Sequence, residues 1–381
     1  MATEETSNGV SRAALAAVAV VGLVVLGGAF VVLTTGGDSG PGTPTGTGDA
    51  APYGLDAVPA NNTTLVAYVD PAAVDDPVTE SVVNTAINAS QAGTGETGGV
   101  ESYDDLLQQV RENASEEGLD VDVVGNVNYV TVFGSENPND INVDPSEVQE
   151  NEYAGVLVNS DWSEEELEDG LRQAYESDET ERSFDQVNTT RYDEHKVYVL
   201  PSEEDEDTYL AVLGNGRYVF GTQNSVYDAV DAYEGEVDDA VDTLLGNTLE
   251  DAGQERTRVA VATTETDTEM TGSEEPQLDA TAFSYTPVND SAVAFDLVLE
   301  FPDNENATEG AEEIRQSLAE SENSTGAAVP SVQDAIQRVE VTQDGETVRT
   351  TYEAPVEEFN DLVQLGVQLF ASSFSGGTGA P

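Results

Sequence analysis

Hydrophobic residues follow three patterns along the chain. Between Ala13 and Leu33 they are nearly continuous, 21 apolar or small residues. As a helix that run spans about 30 Å, the thickness of a bilayer's hydrocarbon core. From 34 to 52 they give way to Gly, Thr, Pro and acids, the composition of a flexible tether. From Tyr53 onward they recur with short periods, alternating as in strands or spaced by three and four as in helices.

The third region reads as a series of short elements. Strands are predicted at Leu65–Val69, Tyr129–Phe133, Tyr153–Val158, Lys196–Leu200, Tyr209–Leu213, Arg217–Phe220, Arg258–Thr263 and Ala292–Phe301. Val339–Gln343 and Glu346–Tyr352 form a hairpin across Asp344-Gly345, and Asn215-Gly216 closes another, because these residue types tolerate positive φ. Helical spacing covers Val78–Ile87, Tyr103–Arg111, Asn224–Tyr233 and Thr308–Ala319. A further helix starts at a capping box, where Asp161 and Ser163 precede Glu164 and Glu166 by three, and runs to Tyr175. A last helix places Pro355 in its first turn and Val356, Phe359, Leu362, Val363, Val367 and Phe370 on one side.

A strand–hairpin–helix unit recurs near 197–234 and 337–372, with looser strand–helix copies at 65–88, 153–175 and 292–319. The fold class predicted is α+β: an antiparallel or mixed sheet with helices on one face, plus one N-terminal transmembrane helix. The domain plan is a cytoplasmic N-terminus at 1–12, an anchor at 13–33 and a linker at 34–52. Two extracellular α+β regions follow at 53–272 and 273–374, then a tail at 375–381. The division rests on an acidic, unpatterned stretch at 264–281; a second such stretch lies at 135–151.

Charge changes the picture of the surroundings. There are 76 acidic and 12 basic residues, a formal charge of -64, and Lys196 is the only lysine. In dilute buffer such a surface repels itself. At 1 M salt the Debye length falls to roughly 3 Å and most of the repulsion is screened. The acids are interleaved with periodic apolar residues, and 38% of the chain is hydrophobic, so a folded protein of an extreme halophile is expected. Without a basic patch to neutralise phosphates, no nucleic acid is expected as partner.

Arg12 precedes the apolar run and the next basic residue is Arg111, which puts the N-terminus inside and the bulk outside, a single-pass protein of the cell membrane. The run exceeds a signal peptide's apolar stretch and no Ala-x-Ala site follows, so an uncleaved anchor is expected. Asn61, Asn62, Asn88, Asn113, Asn188, Asn289, Asn306 and Asn323 each begin an Asn-x-Ser/Thr sequon, candidate glycan acceptors on an exported surface. Ser11-Arg12-Ala13-Ala14-Leu15 also resembles the leader of archaeal pilin-like proteins, which keeps a filament subunit as an alternative.

Catalytic chemistry has little to stand on. The chain has no cysteine, which excludes disulfides, thiolate nucleophiles and thiolate metal sites. His195, the single histidine, lies at the entry to a strand, the sequence contains no G-x-S-x-G elbow, and the residue reads as a solvated loop histidine. Asp140, Asn142 and Asp144 match the first half of a calcium loop, but Pro145 stands where Gly is required and Asn151 where a bidentate Glu is expected. Glu203 to Asp207 is a charge run between strands. No P-loop or dinucleotide fingerprint exists, so neither cofactor nor metal site is expected.

The segment Ala57-Val58-Pro59-Ala60-Asn61-Asn62-Thr63-Thr64, leading into LVAYVD, resembles the mature start of uncharacterised membrane-anchored envelope proteins of halophilic archaea. The segment GRYVFGTQNSVYDAVDAY is similar to that group's strand, turn and helix. That group has a domain of unknown function, so the resemblance implies an envelope location and transfers no functional residue. The expectation is a non-enzymatic surface protein that binds a partner, possible envelope proteins among them, or supports the envelope. Alternatives are a carboxylate-dependent hydrolase and a solute-binding or sensory module.

Overall fold

The structure, a computed structural model, describes residues 52–73, 76–94, 102–103, 105, 126–135, 153–175, 184–201, 207–241, 243–253, 257–264, 278–324 and 330–362. The apolar run at 13–33, nearly all of the linker, Asn113, the Asp140–Asp144 loop, most of the Glu203–Asp207 run and the tail lie outside the described residues. Among the described residues no helix is long and apolar enough to cross a membrane.

Among the described residues twelve strands form one sheet: β1 (Leu65–Val69), β2 (Val127–Gly134), β3 (Ala154–Ser160), β4 (Asn188–Tyr192), β5 (His195–Leu200), β6 (Thr208–Gly214), β7 (Arg217–Gly221), β8 (Val259–Thr263), β9 (Ala280–Asn289), β10 (Ala292–Glu300), β11 (Val339–Asp344) and β12 (Thr347–Pro355). Their order is β11-β12-β10-β9-β8-β1-β2-β3-β7-β6-β5-β4, and every neighbouring pair is antiparallel. The helices are α1 (Pro77–Thr94), α2 (Glu164–Tyr175), α3 (Gln223–Tyr233), α4 (Leu244–Ala252), α5 (Asn304–Ser324), α6 (Pro330–Ile336) and α7 (356–362). A 3₁₀ segment, Pro52–Ala57, precedes β1. The α+β class therefore holds.

The strand order repeats. Starting at the central pair β1/β8 and moving outward, one side runs β1-β2-β3-β7-β6 and the other β8-β9-β10-β12-β11. Each side places a single strand, an antiparallel pair and, after a helix, a second antiparallel pair in the same spatial order; the first side adds α1 after β1 and the β4–β5 pair beyond β6. β1 and β8 pair symmetrically, with Ala67 opposite Val261 at the middle. The units seen at 197–234 and 337–372 occupy equivalent places in this duplication. β8 pairs with β9, so the strands on either side of the 264–281 stretch are neighbours in one sheet.

The helices lie on both faces of the sheet, a correction to the one-face expectation. Alternation along β5 shows why: Val197 faces α3 while its neighbour Tyr198 faces α2. The first face buries Val66, Phe133, Leu157, Ala211 and Val219 under α3, α4 and the 3₁₀ segment. The second carries three further clusters. One holds Leu167 of α2 on Tyr198, Leu210 and Tyr218. Another holds Ala307 and Ala311 of α5 on Phe301 and Val348. A third sets Val78 of α1 and Phe359 of α7 against Tyr285 and Phe295. Leu249 of α4 is 0% exposed, and burying one such leucine contributes about 2 kcal/mol.

Local chemistry sets the helix starts. Thr222 caps α3 by accepting from the Ser225 amide, and Thr243 caps α4 through Gly246. Ser163 and Glu166 form the expected reciprocal box, each side chain bonding the other's backbone amide at 3.2 Å and 2.7 Å.

Candidate functional site

A cluster of carboxylates lies where the β4–β5 turn meets the end of α3. Asp193 and Glu194 form that turn with φ of 47° and 74°, a mirror-image turn that matches the twist of its strands. It brings Asp193 up to Asp231 of α3 and to Glu236 beyond the helix end; one oxygen of each carboxylate lies within 4.8 Å of the others. Asp193 beside it, with a smaller contribution from burial, pushes the Glu236 carboxyl above its ordinary value. Tyr192 donates to Asp231 Oδ2 at 3.0 Å and stacks on Tyr227 at 4.1 Å, ring planes 7° apart. Burial, then the bond to Asp231, pushes the Tyr192 hydroxyl up to about 12. The three carboxylates are of a kind that could hold a hydrated cation. They are also what a surface this acidic produces at a tight turn.

His195 sits beside this cluster and is not a solvated loop residue. Its side chain is 14% exposed. Nδ1 lies 2.9 Å from the Val212 carbonyl, Nε2 lies 2.8 Å from Glu234 Oε1, and Tyr233 meets the ring edge-on. Both partners are acceptors, so the ring donates to both only with a proton on each nitrogen. This histidine ties the hairpin to the end of α3. The buried serines among the described residues are spent elsewhere: Ser225 donates to the Ala154 carbonyl, Ser284 to that of Ala252, and Ser160 accepts from the Trp162 amide.

The buried charges are structural too. Arg217, at the start of β7, pairs with Asp56 of the 3₁₀ segment at 2.6 Å. Arg258, just before β8, pairs with Asp70, just after β1, fastening the central strands together. Burial raises the Asp70 carboxyl against the opposing pull of Arg258. Glu300 accepts from the Thr347 hydroxyl, and burial pushes its carboxyl up. Lys196 bridges Glu164 at 2.9 Å and Glu168 at 3.1 Å; its bond to Glu168, and then that from Tyr198, hold the Glu168 carboxyl low.

A groove of about 410 Å³ runs between α5, α6 and β11, lined by Leu318, Ile336, Val339 and Val341 with Arg315 at its rim. It holds no buried carboxylate pair.

The candidate acceptor asparagines Asn61, Asn62, Asn88, Asn188 and Asn289 are exposed, and Asn306 is half-buried. Asn62 sits in the turn before β1 with φ of 66°. Asn289 tips the β9–β10 hairpin, where its Oδ1 accepts from the Ser291 amide and hydroxyl. Asn323 lies in α5.

Sequence reasoning missed the acidic corner because Asp193, Asp231 and Glu236 are three of 76 acids at spacings without a motif. The positive-φ pair Asp193-Glu194 was the available signal. Comparison with protein-family models, with curated proteins and with solved structures gives no match.

Proposed function

We propose that this chain is a membrane-anchored protein of a halophile's envelope, its folded mass outside the cell, in a non-enzymatic binding or structural role. The observation that carries the reading is the succession of a 21-residue apolar run, a Gly/Thr/Pro tether and a strongly acidic α+β region. The uncleaved helix from Ala13 to Leu33 is the anchor, and the exposed sequons are its candidate glycan sites. The non-enzymatic part is supported by His195, Arg217, Arg258 and Lys196, each committed to a structural bond.

The test is protease treatment of intact cells in multimolar KCl, read with antibody against the sheet region. Cleavage in the 34–52 tether should release an acidic fragment, while the N-terminus stays with the membrane. Recovery of the whole chain from the cytosol, untouched by external protease, would overturn the proposal. Turnover of a substrate lost on mutation of Asp231 or Glu236 would overturn its non-enzymatic part.

A further inference from the structure

The two outer edges of the sheet are built differently. β11 reads VEVTQD, exposes Glu340 and Asp344, and has its Val341 carbonyl occupied by Arg315 at 3.0 Å. Carboxylates and occupied backbone groups are how an open edge avoids pairing with another chain. At the opposite edge β4 has neither. Residues 187–192 contain no acid in a chain with 76, the only charge is Arg191, and Asn188, Thr189, Thr190 and Arg191 are exposed.

The turn fixes which backbone groups of β4 face outward. A two-residue turn makes Tyr192 and His195 the hydrogen-bonded closing pair. By alternation Thr190 and Asn188 also bond β5, while Thr189 and Arg191 direct N–H and C=O away from it. Among the described residues nothing hydrogen-bonds to these outward groups.

We propose that β4 pairs with β4 of a second copy of this chain, antiparallel, about a two-fold axis through Thr190. The strand is self-complementary in that register. Thr189 exchanges backbone bonds with Arg191 of the second copy, and Arg191 with its Thr189, so all outward groups are satisfied. Thr190 faces Thr190 and Asn188 faces Tyr192, polar pairs that suit a cross-strand position. One step further out Val187 meets Asp193, so no carboxylate opposes another. The contact is isologous, as closed dimers require. It is also small, below the size of a permanent interface, so it forms at high local concentration and in salt that screens the two acidic bodies.

A chain without cysteine gives a clean test. The full chain, in membranes held in multimolar KCl, is given a single Thr190→Cys and treated with diamide. Facing residues of a pair that exchanges no backbone bonds have Cα atoms about 4.5 Å apart, within disulfide reach. A homodimer should form about tenfold faster than with Thr342→Cys on the β11 edge, because pairing raises the effective thiol concentration. Thr190→Asp sets two carboxylates on the axis. In detergent and multimolar KCl, at the concentrations where the native chain is dimeric, it should shift the light-scattering mass from dimer to monomer with an unchanged circular dichroism spectrum.

Equal crosslinking at both edges, or a native chain monomeric at all concentrations, overturns the proposal. So does capture of a different protein by the Thr190→Cys variant, or a glycan on Asn188 in the mature chain, which would block the strand.

Discussion

Replacing Arg217 with methionine tests whether buried ion pairs hold this fold independently of salt. The guanidinium is 7% exposed and binds Asp56 Oδ2 at 2.6 Å, joining β7 to the segment that precedes β1. Its carbon lies 5.5 Å from the centre of the Tyr233 ring. Tyr129, whose hydroxyl burial pushes up to about 12 with Arg217 pulling the other way, adjoins the pair. Asp56 Oδ1 and the Tyr129 hydroxyl are buried without partners among the described residues, so nothing else stands ready to neutralise Asp56. Removing one partner of a fully buried pair costs about 3–5 kcal/mol. Asp56 is 26% exposed, so water recovers part of that and about 2–3 kcal/mol is expected. For a fold of this size that lowers the melting temperature by about 4 °C. Asp56→Asn in the Arg217→Met background should recover part of the loss, a coupling of about 1–2 kcal/mol. The assay is thermal unfolding followed by circular dichroism in roughly 1 M and about 4 M KCl. Ions cannot enter between the buried partners, so the coupling should be the same in both. A single variant that melts with the parent, or a coupling that disappears at the higher salt, refutes the argument.

Other expectations follow from the same geometry. Gly216 has φ of 74°, and an added Cβ would collide with the Ser160 carbonyl, so Gly216→Ala should cost about 2 kcal/mol or more in a denaturation experiment. Gly214, with φ of 96° and open space around it, is the control that carries the backbone penalty alone. Glu300 keeps its proton in the folded chain above its ordinary value of 4.5, where the unfolded chain has lost it. Stability should therefore fall as pH rises through that window, and Glu300→Gln should remove the slope in a pH series of melting temperatures. Glu236→Gln relieves the repulsion from Asp193 at an exposed corner. It should raise the melting temperature at low salt and leave it unchanged in multimolar KCl.

The sequence made the strands with uniform apolar or alternating patterns legible. Leu65–Val69 is a strand at the expected bounds, and Arg217–Gly221 differs from expectation by one residue. Of the elements that were not legible, three show a physical reason. β4 has the exposure of an edge, so its side chains carry no apolar alternation. β9 contains Pro287, which argues against a strand; the proline sits past the end of β8, where no ladder bond on that side is needed, next to a register shift against β10. α4 is a nine-residue helix that sets Leu245, Leu249 and Ala252 on Ala260, Ala262 and Ala282, and so short a run gives a weak periodic signal. The candidate corner was hidden by abundance, since acids at a hairpin turn look like acids anywhere else in this chain.

The duplication also explains where its two halves part company. α3 follows β7 and covers the first face, whereas α7 follows β12, in the equivalent place, and packs on the second. The strands decide this, not the helices. β6 and β7 offer Ala211, Leu213 and Val219 toward α3. On that face β12 offers Thr347, Arg349, Thr351 and Glu353, and Arg349 reaches instead to the Asp251 carbonyl at the end of α4. Its opposite face offers Val348, Tyr352 and Ala354. A helix with an apolar stripe goes where the sheet can bury it, so the register of one strand sets the side on which the chain leaves. One half of the molecule thus closes its first face with α3, and the other closes it with α4 and with the polar pairs Thr347–Glu300 and Thr351–Asp296.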